Sequence, residues 1–476
     1  MRTVLHVLSE EEKTRVHERT LRVLARTGVR VDTAAGRRML RDAGAEIVEN
    51  EHIVRFPRAL VEEALRLAPK RFVLGARRPG WDLPMNAGDC TLLMDGEATV
   101  TLDRRTGERR AGTFQDWLDA TRLGDALDQI GVYWSMIRAS DRGDTLADYI
   151  EYLRSLFANF SKHVQDSIDS PEQATWLINV LQAIFGDKER IRRHHPLSFL
   201  LCPQSPLIID ELHTDAYLTL LGWDIPVAAM PMPFMGATAP ASLISTVILG
   251  NCEVLATLCL VQAAAPGTPF IFAPSLTLVD LRSGLYASGA VENALFGAAV
   301  AEMGRYYGLP VEASGFSTGA HVPGIQAGYE RALTGILPVL AWPDILVGPG
   351  LLGGAMVLSL EQMVIDVEVF RMCKQARRGI VCDKGAWLDD IIDTAGPGGD
   401  FLSDISTVRA ARDGEWYISG LGVHDSFERW EDAGKPTVLD EAREKVDHLL
   451  TTHEPIPLDA TVEAELDRIS QWVREK

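Results

Sequence analysis

The chain has 476 residues, 46% of them hydrophobic, 24% charged and 7% aromatic, which suits two or three domains or one large barrel with additions. Its 66 Asp and Glu against 47 Lys and Arg leave a formal charge of −19, and this argues against nucleic acid, whose phosphates need clustered Lys and Arg. The opening MRTVLHVLSEEEKTRVHERT lacks an apolar core followed by a small-residue cleavage site. Between Ile225 and Pro274 no stretch reaches the roughly 20 uninterrupted apolar residues of a membrane span. The six cysteines are scattered without a C-x-x-C pair. These features predict a cytoplasmic protein with reduced thiols, no bound metal, and neither membrane nor nucleic acid as partner.

Residues 1–110 alternate short helical and extended patterns and are read as an α+β appendage. SEEEKTRVHERTLRVLARTGV predicts a helix with Ser9 as N-cap, Glu12 three residues on and Gly28 beyond its end. PRALVEEALRLAP predicts a second helix, and CTLLMDGEATVTLD a hairpin turning at Asp95-Gly96. From 111 to 378 the rhythm becomes strand, loop, longer helix. Strands are predicted at 131–134, 161–164, 197–203, 226–233, 269–274, 310–316 and 345–350, with amphipathic helices between them. This alternation implies parallel sheet, and seven repeats favour an α/β (β/α)8 TIM barrel whose eighth strand is expected near Met356 or in the 380s. Residues 379–476 are acidic and helical, an extension expected to pack on the barrel or on another subunit.

Few motifs carry chemistry. GPGLLG at 348–353 matches G-x-G-x-x-G, but a dinucleotide site also needs a helix opening there, and Pro349 removes one N–H. A tight βα turn is the plainer reading, and an NAD(P)-dependent enzyme is the alternative the motif raises. His6, His17, His52, His194, His195 and His213 sit in polar contexts and are expected to face solvent. His163 ends a strand, and His321 lies in the loop of SGFSTGAHVPGIQAGYE, so either is placed to orient a ligand. In AAMPMPFMGATAP, residues 228–240, prolines end the strand and small residues leave room for a bulky group. No G-x-S-x-G is present, Ser205 lacks a nearby base, and Cys202 reads as core.

LSEEEKTRVHERTLRVLARTGVRV, residues 225–275, GLYASGAVENALFGAAVAEMGRYYGLP, STGAHVPGIQAGYERALTGILPVLAW, SLEQMVIDVEVFR and DTAGPGGDFL together resemble the trimethylamine methyltransferase superfamily. The resemblance runs in order over nearly the whole chain. It implies a (β/α)8 barrel whose mouth receives a separate cognate corrinoid protein, so that cobalamin is carried by the partner and no cofactor is bound directly. The founding trimethylamine enzymes carry pyrrolysine in the barrel; this chain has none and resembles the relatives that act on quaternary amines such as glycine betaine, proline betaine or carnitine in one-carbon metabolism and methanogenesis. Its STGAHVPGIQ differs from the aspartate-containing loop of relatives. A homo-oligomer is expected. The alternative is a quaternary-amine binding or sensing protein without methyl transfer.

A quaternary nitrogen is already cationic and leaves as a neutral amine, so in-line transfer needs no acid or base, only positioning away from water. The scarcity of acid–base motifs fits this, and no catalytic residue is identifiable. Aromatic faces attract such a cation. The expected cage is Tyr133, Trp134, Phe234, Tyr286 and Phe316, with Asp95, Glu97 and Glu312 as counter-charges. His163, Gln204, His321 and Gln326 are the candidates for the far end of a zwitterion, and Met232, Met235, Gly236, Gly348 and Gly350 are expected to face the corrinoid.

Overall fold

A computed structural model of the chain describes residues 3–383 and 385–475. Eight short strands form the barrel: β1 (Thr91–Leu93), β2 (Ile130–Tyr133), β3 (His163–Asp166), β4 (Leu197–Leu201), β5 (Val227–Ala229), β6 (Phe270–Phe272), β7 (Glu312–Ser314) and β8 (Ile345–Val347). Each pairs in parallel with its neighbour in chain order, β8 returns to β1, and β6 meets β7 through a bridge between Phe272 and Val311. After the strands come α1 (Phe114–Ala126), α2 (Leu146–Asn159), α3 (Pro171–Phe185), α4 (Glu211–Thr219), α5 (Leu243–Ala264), α6 (Val291–Tyr306), α7 (Ile325–Ala341) and α8 (Leu360–Arg378).

The strand that the sequence left unplaced is the first, not one near Met356 or the 380s. Thr91–Leu93 lies within the 1–110 segment and pairs with both Ile345–Val347 and Ile130–Tyr133. Asp95-Gly96 is therefore not a hairpin turn. The hairpin lies just beyond, Val100–Leu102 against Arg109–Ala111, turning where Asp103 accepts N–H groups of Arg105 and Thr106. A three-residue strand running into Asp-Gly carries a stronger local turn signal than strand signal, and only its two partners make it a strand.

Strand periodicity separates two cores. Leu93, Val132, Leu200, Ala228, Ile271 and Ile345 fill the barrel axis, with Leu74 and Met85 from the preceding segment in the same cluster. Leu92, Tyr133, Val164, Phe199, Phe270 and Phe272 instead face the helices.

α5 is apolar on nearly all sides, so it requires cover from both directions. It is the one described helix long and apolar enough to cross a membrane, yet most of it is buried inside the protein. The helix Glu10–Arg26, with its Ser9–Glu12 capping box, and the helices Ala34–Asp42 and Arg58–Leu67 all pack on its outer side. In the C-terminal extension, Val438–Thr452 packs on α8 and α1, and Ala460–Glu475 on α2 and α3. Between barrel and these helices the chain leaves Ile380, Trp387, Leu402, Ile418 and Phe427 exposed.

Candidate functional site: the barrel mouth and an adjoining pocket

Because side chains alternate along a strand, the residues two beyond the axial set again point inward at the strand ends. That position is Asp95 after β1, Trp134 after β2, Cys202 after β4 and Ala273 after β6. One step further out, Ser275 and Ser314 hydrogen-bond through their hydroxyls at 2.8 Å. Phe234 and Tyr286, half-buried, meet edge to face at 5.7 Å in the loops above. Phe234, Met235, Thr277–Asp280 and Leu285–Tyr286 form a small sheet over this side of the mouth. By strand position Asp95 and Trp134 stand at this mouth, or funnel, of the barrel with Phe234 and Tyr286 in the loops above, at the end where such folds carry their sites.

Below the funnel, a polar chain crosses the barrel interior. Gln165 Nε2 donates to both oxygens of Glu312, at 3.1 and 2.9 Å, and Ser198 Oγ donates to Gln165 Oε1 at 3.1 Å. His163 Nε2 lies 2.9 Å from Ser198 Oγ, and its Nδ1 lies 3.0 Å from the Gly75 carbonyl. All four side chains are fully or almost fully buried. Burial pushes the Glu312 carboxyl up to about 7, opposed by the Gln165 hydrogen bond, and it pushes His163 down to about 3. His163 is therefore neutral and buried in the barrel interior, and it begins β3 where the sequence predicts it to end a strand.

The wall beside Asp95 is charged. Arg331 of α7 and Asp366 of α8, both wholly buried, pair at 2.8 Å. Arg331 also donates to the Gly348 carbonyl at 2.6 Å, and Asp366 accepts from Gly350 N and Gln362 Nε2, each at 2.8 Å. Arg331 Nε and Nη2 find no acceptor among the described residues. Desolvation raises the Asp95 carboxyl to about 6, with Arg331 pulling the other way.

These contacts correct the reading of 348–353. Gly348 and Gly350 are buried, and their backbone groups serve Arg331 and Asp366 instead of facing a corrinoid or a phosphate. The segment leads into a two-stranded hairpin, Leu351–Leu352 with Val357–Leu358, and α8 opens only at Leu360, so the dinucleotide geometry is missing.

The other expected site residues divide. Tyr133 faces away from the axis: its hydroxyl accepts from Trp117 Nε1 at 2.9 Å, and its ring packs on Phe160 at 5.4 Å. Phe316 takes φ 41° and buries its ring against Phe370 at 6.2 Å, so neither aromatic joins a cage in the funnel. Gln204, His321 and Gln326 are exposed around the rim, with Gln326 Nε2 donating to Glu330 at 3.0 Å. Met232 and Gly236 are exposed and Met235 half-buried on the same face. Of the histidines expected at the surface, His195 is buried with Nδ1 3.0 Å from the Val73 carbonyl, and His213 sits between Asp210 and Asp169, which raise it to about 10.

Glu97 opens into a different space. On the outer side of the ends of β2 and β3, against α1 and α2, lies a pocket of about 530 Å³. Its wall holds Trp117, Tyr149 and Tyr152, and Tyr152 donates to Asp166 at 3.0 Å. Sequence reasoning passed over Gln165, Ser198, Asp166, Arg331 and Asp366. Gln165 and Asp166 adjoin the predicted strand SKHV, and two residues more of strand would have exposed them. Arg331 and Asp366 lie inside helices and carry no local signal. Among the described residues, no group of three or more His, Cys, Asp or Glu side chains could hold a metal ion.

The family model described as trimethylamine methyltransferase (MTTB) matches residues 2–474. The chain is 31% identical to the trimethylamine methyltransferase MttB of Methanosarcina barkeri over 98% of its own length and 94% of that protein. It is 29% identical to the glycine betaine methyltransferase of Desulfitobacterium hafniense (strain Y51), covering 97% and 95% respectively. The crystal structure of the Methanosarcina barkeri monomethylamine methyltransferase (MtmB) aligns over 92% of both chains with 13% identity and a TM-score of 0.49.

Proposed function

Because the chain belongs to the trimethylamine methyltransferase family, we propose that it moves a methyl group from a betaine-like quaternary amine to the Co(I) corrinoid of a separate partner protein in the cytoplasm. The observation that carries this reading is the funnel itself. It combines aromatic faces from Trp134, Phe234 and Tyr286 with the carboxyls of Asp95 and, beneath, Glu312. A quaternary cation gains from both, through the ring quadrupoles and through the charge.

The exposed rim suits a docked, partly apolar macrocycle. Met232, Leu281, Val322 and Met356 in loops beyond the strand ends, Leu285 in the small sheet and Ile325 at the start of α7 are all solvent-exposed. When docked, the corrinoid supplies the nucleophile. This chain's residues do the rest by position. Asp95 and the rings hold the ammonium group, the packed walls exclude water, and the C–N bond pair stays with nitrogen, so the amine leaves neutral and no proton has to be moved. The rim residues His321 and Gln326 would meet the carboxylate of a zwitterion. The apolar stretch carrying Trp387, Leu402 and Phe427 is the surface through which copies of the chain would associate.

The test is direct. The purified protein is mixed with glycine betaine and its corrinoid protein, reduced to Co(I), and the methylated cobalt is followed by its absorbance. Methylation with Trp134→Leu and Asp95→Asn strongly impaired is expected. No methylation from any betaine would refute the proposal.

A further inference from the structure

The off-axis pocket shares none of the residues that gather at the barrel mouth, Asp95, Trp134, Phe234 and Tyr286. It is lined by α1, α2, the 135–145 loop and the segments after β1 and β3, and its floor residue Asp166 lies on the helix-facing side of β3 with Val164, whereas Gln165 points to the axis. It holds about 530 Å³, ample for a small organic ligand.

Three observations describe what would fit. First, the wall is aromatic and continuous: Phe114 stacks on Trp117 at 5.1 Å, Trp117 meets Tyr152 at 5.2 Å, and Tyr152 lies 6.3 Å from Tyr149. One of these faces already holds a cation, since the Arg142 guanidinium stands 4.1 Å from the Phe114 centroid. Second, the lining is strongly acidic. Six carboxyl groups face two guanidiniums, and Arg138 is already paired with Asp144 at 2.9 Å. Third, the carboxyl at the floor has no positive partner. Asp166 is only 8% exposed, its hydrogen bonds come from the neutral Tyr152 hydroxyl and Ser167 N–H, and no Lys, Arg or His lies within ion-pair distance of it among the described residues. A buried carboxyl left without a cation is costly unless it stays neutral or a ligand supplies the charge. Burial and the neighbouring Glu97 both push Asp166 up, to about 8.

We propose that this pocket is a second ligand site, distinct from the barrel axis, for a small alkylated ammonium ion. Aromatic walls with a carboxyl floor suit an organic cation, because a desolvated ring face and a charge act together on an ion that is only weakly hydrated. They do not suit a divalent metal, which needs several converging oxygens, and no such grouping exists among the described residues. The inference does not depend on methyl transfer. A protein that binds amines without demethylating them would keep the site.

Calorimetric titration of the full-length protein with tetramethylammonium chloride tests it. Asp166→Asn keeps an oxygen for the Tyr152 hydroxyl, and Tyr149→Leu alters a half-buried wall position. Each is expected to weaken one binding event by about tenfold or more, while Asp95→Asn in the funnel leaves that event intact. A crystal soaked in the same salt should show the ion between Tyr149, Tyr152 and Asp166. Wild-type affinity and stoichiometry in both pocket variants, or displacement of the probe by equimolar magnesium chloride, would overturn the proposal. Failure of the methyl-transfer reading would appear separately, as unmethylated cobalt with this binding intact.

Discussion

Replacing Glu312 by Gln should stabilise the protein above neutral pH while weakening amine binding. The folded state holds this carboxyl at about 7 against an ordinary value of 4.5. The unfolded chain therefore releases the proton first, and stability is lost as pH rises from about 4.5 through about 7. At 1.36 kcal/mol per pH unit, the full cost above that window is about 3 kcal/mol. The residue is 1% exposed, so solvent offers little relief.

The hydrogen-bond chain points the same way. With Glu312 ionised, Gln165 donates to it and Ser198 donates to Gln165. His163 must then donate to Ser198, which leaves a bare Nδ1 facing the Gly75 carbonyl, because the neutral ring has one N–H. With a proton on Glu312 and the Gln165 amide turned over, every link has one donor and one acceptor. Glu312→Gln imitates that neutral state. In urea denaturation, the wild type should lose about 3 kcal/mol relative to the variant between pH 5 and pH 9. Betaine affinity of the wild type should rise over the same interval, and that of the variant should not. A variant less stable than the wild type at pH 9, or one with an unchanged pH profile of binding, would refute the reasoning.

Asp366→Asn leaves the wholly buried Arg331 without its paired charge, and thermal unfolding should show a loss of about 3–5 kcal/mol. Gly348 has φ 128°, and a Cβ there would meet the Gly315 carbonyl oxygen at 2.2 Å. Gly348→Ala should therefore cost at least about 1–3 kcal/mol, read from the urea midpoint. Trp134→Ala removes the one axial aromatic at the end of β2. It should raise the Kd for glycine betaine by roughly tenfold, the 1–2 kcal/mol of a partly desolvated cation–π contact, measured by calorimetry.

Local signals were well preserved in the fold. Ser9 and Glu12 form their capping box, and the helix ends before Gly28, because these are contacts within four residues. Seven of the barrel strands fall on or beside the predicted segments, since apolar runs bounded by Gly and Pro need no distant partner to be recognised. Thr91–Leu93 did not stand out, because its strand character comes from Ile345–Val347, far along the chain. The candidate cage was legible by residue type but not by direction. Tyr133 and Trp134 are adjacent and equally aromatic, yet strand alternation sends one to the helices and the other to the axis. A one-residue change of register exchanges them, and register is set by pairing between strands.

The sequence by itself determined the βα alternation, the parallel barrel it requires, the acidic character and the scarcity of acid–base motifs. Each follows from composition or from periodicity over a few turns. Tertiary structure alone decided which carboxyls are deprived of water. Asp95, Asp166, Glu312 and Asp366 are ordinary acids in the sequence, and burial raises every one of them. That shift depends on what surrounds a charge in space, and Arg331 reaches Asp366 from another helix because the barrel has closed.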